Sequence, residues 1–377
     1  MKRILNIVGA RPQIIKAAAL TRAVKERFAS ALEERILHTG QHYDSNMSAV
    51  FFDELGIPKP HYQLAVGSGS HGAQTAKMIS GIEEVLLREH FDGVVVYGDT
   101  NSTLAASVAS AKLHVPVFHV EAGLRSFNMT MPEEQNRIVC DHLANICFAP
   151  TATAMENLRH EGIADSQALF ADGKGRKVVN SGDVMYDNSL YYAKISASRC
   201  DIIERLELKN TPFVLATIHR DYNTDNPDRL TSIFSALLAI ARQTRVVLPL
   251  HPRTAKLLGQ NIDSHVYNAL KAAENVLIVQ PASFFEIIEL ERQAQVVLTD
   301  SGGVQKEAFF YGRPCIILRP ETEWVEIIAH GAGILADADT RRITEAYSTL
   351  VGKQVQFPPL FGDGHAAERI VQEIINY

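Results

Sequence analysis

Along nearly the whole chain, short runs of consecutive apolar residues alternate with longer stretches whose apolar positions recur at helical spacing. The runs include "ILNIV", "RILHT", "GVVVYGD", "PVFHVEAG", "FVLATIH", "RVVLPLH", "VLIVQP", "QVVLTD" and "CIILR". Apolar side chains at successive positions predict strands covered on both faces, and the amphipathic stretches between them predict the covering helices. The order of elements is that of a doubly wound α/β chain with parallel sheets. A chain of 377 residues exceeds what one hydrophobic core organises, so two domains are expected. The pattern breaks once, at the Gly- and Lys-rich "LFADGKGRKVVNSGD", Leu169 to Asp183. The boundary is therefore placed there, giving a first domain at 1–178 and a second at 179–361. The last segment, 362–377, contains the amphipathic "HAAERIVQEIINY" and is expected to rejoin the first domain.

In such sheets ligands bind beyond the carboxyl ends of the strands. The residues that follow each run are thus the candidate site. They are Arg11 and Lys16 in "GARPQIIKAA", Gln41 and His42 after "RILHT", Asp99 after "GVVVYG", and Glu121 after "VFHV". His219 follows "LATI", His251 and Arg253 follow "VLPL", and Asp300-Ser301-Gly302-Gly303 follows "VVLT". Polar chemistry at one edge of both domains predicts a cleft between two Rossmann-like halves.

Charge removes several classes of function. Lys plus Arg number 37 against 43 Asp plus Glu, a net charge of -6, with no basic block, so nucleic acid is not an expected partner. No run approaches the ~18 to 20 apolar residues of a membrane span. The opening "MKRILNIVGARP" imitates a secretory leader, but its apolar stretch ends at Arg11 and no small-residue cleavage site follows, so it reads as a first core strand. Cys140, Cys147, Cys200 and Cys315 lack C-x-x-C spacing, which fits a reducing cytoplasm without a disulfide framework.

Each motif has a chemical reading and a plainer one. Gly302 and Gly303 leave backbone N–H groups open at a helix N-terminus, where a phosphate is favoured; the plainer reading is a helix capped by Asp300 or Ser301. Glu307, one turn further, suits ribose hydroxyls or else a solvated helix face. Arg11 and Lys16 can grip a diphosphate rather than merely solubilise a turn. Asp99, Glu121 and Glu133 are candidates for proton transfer, since burial and like charges raise a carboxyl pKa. The plainer reading of Asp99 is an Asx cap on the helix that starts at Thr100. His119 and Glu121 form the H-x-E of zinc deaminases, yet the partner P-C-x-x-C is missing, so no metal is expected and His119 reads as a satisfied core histidine. "GSGSHG", at Gly67, Gly69 and Gly72, matches a dinucleotide fingerprint, but "HYQLAV" before it is too polar for a buried first strand.

As an ordered set, "GARPQIIK", "TGQHYD", "YGDTNSTLA", "HVEAGLRS", "MPEEQNR", "FAPT", "IHRDYNTDN", "LHPRT", "TDSGGVQKEA" and "ETEWVE" resemble the non-hydrolysing UDP-N-acetylglucosamine 2-epimerases over essentially the full length. The resemblance implies a GT-B fold with the active site between its two Rossmann-like domains. It implies catalytic roles for Asp99, Glu121, Glu133 and His219. UDP contacts fall on Arg11, Ser301, Gly302, Gly303 and Glu307, with Lys16 near the phosphates, and Gln41, His42, Arg137, His251 and Arg253 complete the substrate-binding set. It further implies a cytoplasmic homodimer in polysaccharide biosynthesis that needs no cofactor and epimerises C2 of a UDP-2-acetamido sugar by eliminating UDP and adding it back. The alternatives are a hydrolysing 2-epimerase, a GT-B glycosyltransferase, an NAD-dependent oxidoreductase, or a non-catalytic sugar-nucleotide sensor. Ala10, Gln13 and Trp324 depart from the commoner pattern, and "GARPQ", "LHPRT" and "ETEWVE" together bring the chain nearer the branch that acts on UDP-2,3-diacetamido-2,3-dideoxyglucuronate; Asp44 stands where many regulated members carry glutamine, so the resemblance does not imply activation by substrate.

Overall fold

The computed structural model describes residues 1–41, 52, 55–167, 169–170, 173–250 and 252–377. The chain forms two compact units, Met1–Asn188 with Pro359–Tyr377, and Ser189–Pro358. The first holds a seven-stranded sheet built from β1 (Lys2–Val8), β2 (Leu32–His38), β3 (Tyr62–Gln63), β4 (Gly93–Tyr97), β5 (Val117–Val120), β6 (Ile146–Ala149) and β7 (Lys177–Asn180), in the order β3-β2-β1-β4-β5-β6-β7. The second holds six strands, β8 (Phe213–Thr217), β9 (Arg245–Pro249), β10 (Val276–Val279), β11 (Val296–Thr299), β12 (Cys315–Ile317) and β13 (Gly333–Leu335), in the order β10-β9-β8-β11-β12-β13. Every pairing is parallel, as the unbroken apolar runs require.

Alternation along the strands explains how each sheet is buried on both faces. In the second unit Val214, Ala216, Val246, Leu248, Val296 and Leu298 pack into one core. Their neighbours Phe213, Leu215, Val247 and Val297 pack into the other. Each fully buried Val, Leu, Ile or Phe contributes about 1.5 to 3 kcal/mol, and together these side chains offset the chain entropy lost on folding.

The strand order reverses between β1 and β4, and again between β8 and β11. At such switch points the helices on either side leave in opposite directions and open a crevice at the strand ends. The residues Arg11, Lys16, Asp99, Glu121, His219 and Ser301 all follow β1, β4, β5, β8 or β11. β7 lies within the stretch read as a boundary. It hydrogen-bonds in register with β6, so the first unit runs on past 178 to Asn188.

The C-terminal helix Ala366–Asn376 belongs to the first unit and buries Ala367, Ile370, Val371 and Ile374. Asp187 accepts from the backbone N–H groups of Ala366 (3.1 Å) and Ala367 (2.8 Å) at its start, and Lys2 Nζ donates to the Ile374 carbonyl (3.1 Å) near its end. Asn145 Nδ2 donates to the Tyr377 hydroxyl at 2.9 Å. Among the described residues no helix is long and apolar enough to cross a membrane.

Candidate active site

In the first unit the helix Arg11–Ala23 starts directly after β1, with Arg11 exposed at its first position. Gln13 closes the turn: its Oε1 accepts from Gly9 N (2.9 Å) and Ala10 N (3.2 Å), while its Nε2 donates to the Tyr97 carbonyl (3.0 Å) and Thr103 Oγ1 (2.9 Å). The end of β1 is thereby tied to the end of β4. One turn on, Lys16 Nζ donates to Glu121 Oε1 at 2.5 Å, with both side chains about nine-tenths buried (11% and 10% exposed). Lys16 is thus the direct partner of a candidate acid.

Two backbone features let this pair form. Gly98 has φ +60°, and a Cβ there would come within 3.1 Å of Lys16 Nζ and 3.4 Å of Glu121 Oε1. Glu121 itself has φ +71°, a left-handed conformation that costs a non-glycine residue about 1 to 2 kcal/mol. It is held there because Glu121 N and Ala122 N both donate to the Phe148 carbonyl, at 3.1 and 3.0 Å. Strain retained in this way at a strand end is a mark of functional positions.

Asp99 follows Gly98. Its Oδ2 accepts from Arg137 Nη2 (2.6 Å) and Nε (3.1 Å), and its backbone carbonyl accepts from Asn136 Nδ2 (2.8 Å). Thr100, not Asp99, caps the following helix, its Oγ1 accepting from Thr103 N at 3.3 Å. Arg137 is buried and also donates to Glu134 Oε2 at 2.5 Å, so it bridges two carboxylates of its own unit. Glu133 sits half-buried in the first turn of the same helix, Pro132–Leu143. Glu134 faces inward and accepts from Ser126 N (2.9 Å), Ser126 Oγ (3.0 Å) and Phe127 N (2.9 Å), fixing the loop that precedes the helix.

Beneath these acids lies a supporting layer that includes the expected core histidine. His119 is fully buried, with Nδ1 2.7 Å from Asp141 Oδ1 and Nε2 2.8 Å from the Gly98 carbonyl. It holds the turn that presents Asp99. Burial alone would raise the Asp141 pKa, but the charges and hydrogen bonds of His119 and Arg125 outweigh it and hold the carboxyl below its ordinary value. Arg125 lies 2.8 Å from Asp141 Oδ2. Gln41 is buried too, and its Oε1 accepts from Ser102 N (3.0 Å) and Ser102 Oγ (2.7 Å). Gly67, Gly69 and Gly72 follow the two-residue edge strand β3, and a Cβ at any of them would meet nothing within 4 Å.

In the second unit His219 follows β8 and Asp300 follows β11. Asp300 is wholly buried, and its carboxylate accepts from His219 N (3.2 and 3.1 Å), Arg220 N (3.0 Å) and Asn223 Nδ2 (3.1 Å). His219 Nδ1 stands 3.3 Å from Asp300 Oδ1, while the side chain is 44% exposed. A buried carboxylate behind one ring nitrogen orients an imidazole for work at the other. Ser301 is the N-cap residue of the helix Gly302–Phe310 but makes no side-chain capping bond. With Asp300 turned to the His219 side and Ser301 not capping, neither plain capping alternative is realised. A Cβ at Gly302 would lie 3.7 Å from Arg319 Nη1, Glu323 Oε2 and Trp324 Nε1. Arg319 pairs with both oxygens of Glu323 (3.1 and 2.9 Å), and Lys306 Nζ stands 4.1 Å from the centre of the Trp324 ring. Glu307 is half-buried in the next turn.

His42, Asp44 and His251 lie outside the described residues. Arg253 falls in the helix Pro252–Asn261, which is tied to the end of β8 by Thr254 Oγ1 donating to the Ile218 carbonyl at 3.0 Å. Among the described residues no group of three or more His, Cys, Asp or Glu is placed to hold a metal ion.

Two parallel sheets with their polar residues at the switch-point strand ends define a GT-B-type α/β protein. The sequence model of the UDP-N-acetylglucosamine 2-epimerase family matches residues 24–375, and the chain belongs to that family, whose members are isomerases. It is 47% identical over 372 residues, 98% of each chain, to the UDP-2,3-diacetamido-2,3-dideoxy-D-glucuronate 2-epimerase of Pseudomonas aeruginosa. The crystal structure of Methanocaldococcus jannaschii UDP-GlcNAc 2-epimerase in complex with UDP-GlcNAc and UDP superimposes with a TM-score of 0.86, at 37% identity, covering 100% of both chains. Phytolacca americana UGT2, at 12% identity and a TM-score of 0.59, covers 100% of this chain and 94% of its own, and shares the fold alone. Family membership sets aside the glycosyltransferase, nicotinamide and sensor alternatives.

Proposed function

We propose that the chain inverts C2 of a UDP-2-acetamido sugar by elimination and re-addition of UDP, and that its substrate is UDP-2,3-diacetamido-2,3-dideoxyglucuronate. The observation that carries the choice of sugar is the full-length 47% identity to the Pseudomonas aeruginosa enzyme. Gln13, which locks the first turn, and Trp324, beside Gly302, are the departures that favour the same branch.

No carbonyl acidifies the C2 proton, so simple carbanion chemistry is unfavourable at neutral pH. Elimination avoids that intermediate. A protein base takes the C2 proton, the C2–H electron pair forms the C1–C2 double bond, and the C1–O bond breaks with its electrons passing to the diphosphate. UDP then adds back at C1 while an acid delivers a proton to the opposite face of C2. Ser301, Gly302, Gly303 and Arg11 receive the charge on the diphosphate, and Glu307 accepts from ribose hydroxyls. Asp99, Glu121, Glu133 and His219 supply the proton carriers. Lys16 and Arg137 balance two of these acids. In this reading Gln41 and Arg137 act through the acids and turns they brace, and His42, His251 and Arg253 remain proposed substrate contacts. The protein acts as a homodimer, for which light scattering in solution should give twice 41.6 kDa.

Incubation with UDP-GlcNAc and with UDP-2,3-diacetamidoglucuronate, followed by proton NMR of the anomeric region, tests the choice. The diacetamido sugar should be converted to its C2 epimer with the larger kcat/KM. Preferential turnover of UDP-GlcNAc contradicts it.

A further inference from the structure

Behind the helix that starts at Gly302 lies a carboxyl group that the proposed chemistry does not use. Glu291, near the end of the helix Phe284–Gln293, is wholly buried, and neither of its side-chain oxygens has a hydrogen-bond partner among the described residues. That helix packs against Gly302–Phe310, which carries Glu307. Leu290 and Ala294 of the same helix and Ala308 of the packed helix belong, with Phe213 and Cys315, to one apolar core.

Among the described residues no hydrogen bond joins Glu291 to a cation; Arg313, whose Nε is buried without a hydrogen-bond partner, has its pKa lowered by burial and by the Arg292 charge. Arg292, next in the helix, gives Nη1 to Glu289 Oε1 (2.7 Å) and the Ala193 carbonyl (3.2 Å). Arg205, on the packed helix Ile202–Arg205, donates to Glu286. Tyr311 donates its hydroxyl to the Ser189 carbonyl at 3.4 Å. Burial raises both the Tyr311 hydroxyl and the Cys315 thiol, and Glu291, when ionised, raises them further. The group that acts on Glu291 is Glu307: burial first, and then the Glu307 charge, push the Glu291 pKa well above the carboxylate range. An ionised carboxylate without partners in such a place costs several kcal/mol, so the group is kept neutral instead.

We propose that Glu291 is a positioning residue for the nucleotide, a neutral carboxylic acid behind Glu307 that sets no second negative charge beside this acceptor for ribose hydroxyls and weakens nucleotide binding when it ionises. This rests on the reading of Glu307 as the ribose contact. Neutral Glu291 lets Glu307 stay ionised as an acceptor. Ionised Glu291 sets two negative charges against each other in an apolar surround, and Glu307 then takes up a proton or moves. Nucleotide affinity is thereby linked to one proton held away from the reacting atoms.

The test uses UDP as the probe and the full chain, wild type and Glu291→Gln. At about pH 8, with UDP bound, the infrared spectrum of wild type minus that of Glu291→Gln should contain the carbonyl band of a protonated carboxylic acid. By calorimetry from about pH 7 to about pH 9.5, the wild-type Kd for UDP should rise about tenfold more than that of Glu291→Gln. Lysines and tyrosines that titrate in this range do so in both proteins and cancel in the ratio. Parallel Kd profiles, or a difference spectrum without the band, overturn the proposal. Glu307→Ala separates this from failure of the site reading: unchanged UDP affinity in that variant refutes the ribose assignment itself, whereas weakened affinity with parallel profiles refutes only the role of Glu291.

Discussion

β4 and β11 occupy the same place in their sheets, each beside the first strand of its unit across the switch point, yet they end differently. After β4, Thr100 caps the next helix through its side chain, and Asp99 is presented with Arg137 as its own cation. After β11, Ser301 leaves the helix start without a side-chain cap, Asp300 is withdrawn beneath His219, and the helix begins with two glycines. An end that exchanges protons needs a carboxylate held by a balancing charge. An end that holds an anion needs side chains taken out of its way. In the proposed reading, one fold plan thus serves as an acid-base edge in one unit and as a phosphate edge in the other.

The largest expected effect comes from the acid-base edge. Glu121→Gln removes a proton carrier and the partner of Lys16 but leaves Ser301 to Glu307 intact. Turnover should fall by roughly 10²- to 10⁴-fold, while the Kd for UDP measured by calorimetry stays within about threefold of wild type. Equal losses in turnover and UDP affinity would erase the division of labour. A middle-sized effect belongs to the phosphate edge. Under the proposed ribose contact, Glu307→Ala removes hydrogen bonds to a charged acceptor that are made in ground and transition states alike, so KM should rise about tenfold with kcat retained. A steady-state fit in which kcat collapses and KM is constant would place Glu307 with the acids instead.

A smaller effect separates acids balanced by cations from one that is not. Glu34 on β2 meets Asn6 Nδ2 at 2.5 Å, and burial raises its pKa from 4.5 to about 6. A carboxyl whose folded pKa is raised contributes stability that is complete below its unfolded pKa and is lost as pH rises through about 6. Denaturant titrations at about pH 4 and about pH 7.5 should therefore show wild type losing about 1 to 2 kcal/mol relative to Glu34→Gln. Parallel stabilities at the two pH values would contradict this.

The long central strands and the residues at their ends were legible because unbroken apolar runs and the polar residues after them are local patterns. β3, β6, β7 and β13 are not among the runs quoted for the strand pattern, and β3 has only two residues. β7 is half-buried rather than core, and it fell inside the stretch read as a linker. The supporting layer was illegible for another reason. Lys16 and Glu121 are 105 positions apart, and His119 and Asp141 are 22 apart, so only the sheet order makes them neighbours. Glu134 stands next to Glu133, which was singled out from the sequence, whereas Asp300 was read there as a helix cap. Which of two adjacent acids faces inward depends on the helix rotation and the turn, and no motif specifies these. The choice between a capped helix and a phosphate-ready one at Ser301 was open in the sequence and rests on where the Asp300 carboxylate turns.

The most direct test of the epimerisation account is conversion of the substrate in D2O, with the C2 position of the product read by proton NMR. Proton transfer to a protein base that exchanges with water predicts deuterium at C2 of the epimerised product. Complete conversion with only protium at C2 would contradict solvent-exchanging elimination and the acid-base role given to Asp99, Glu121, Glu133 and His219.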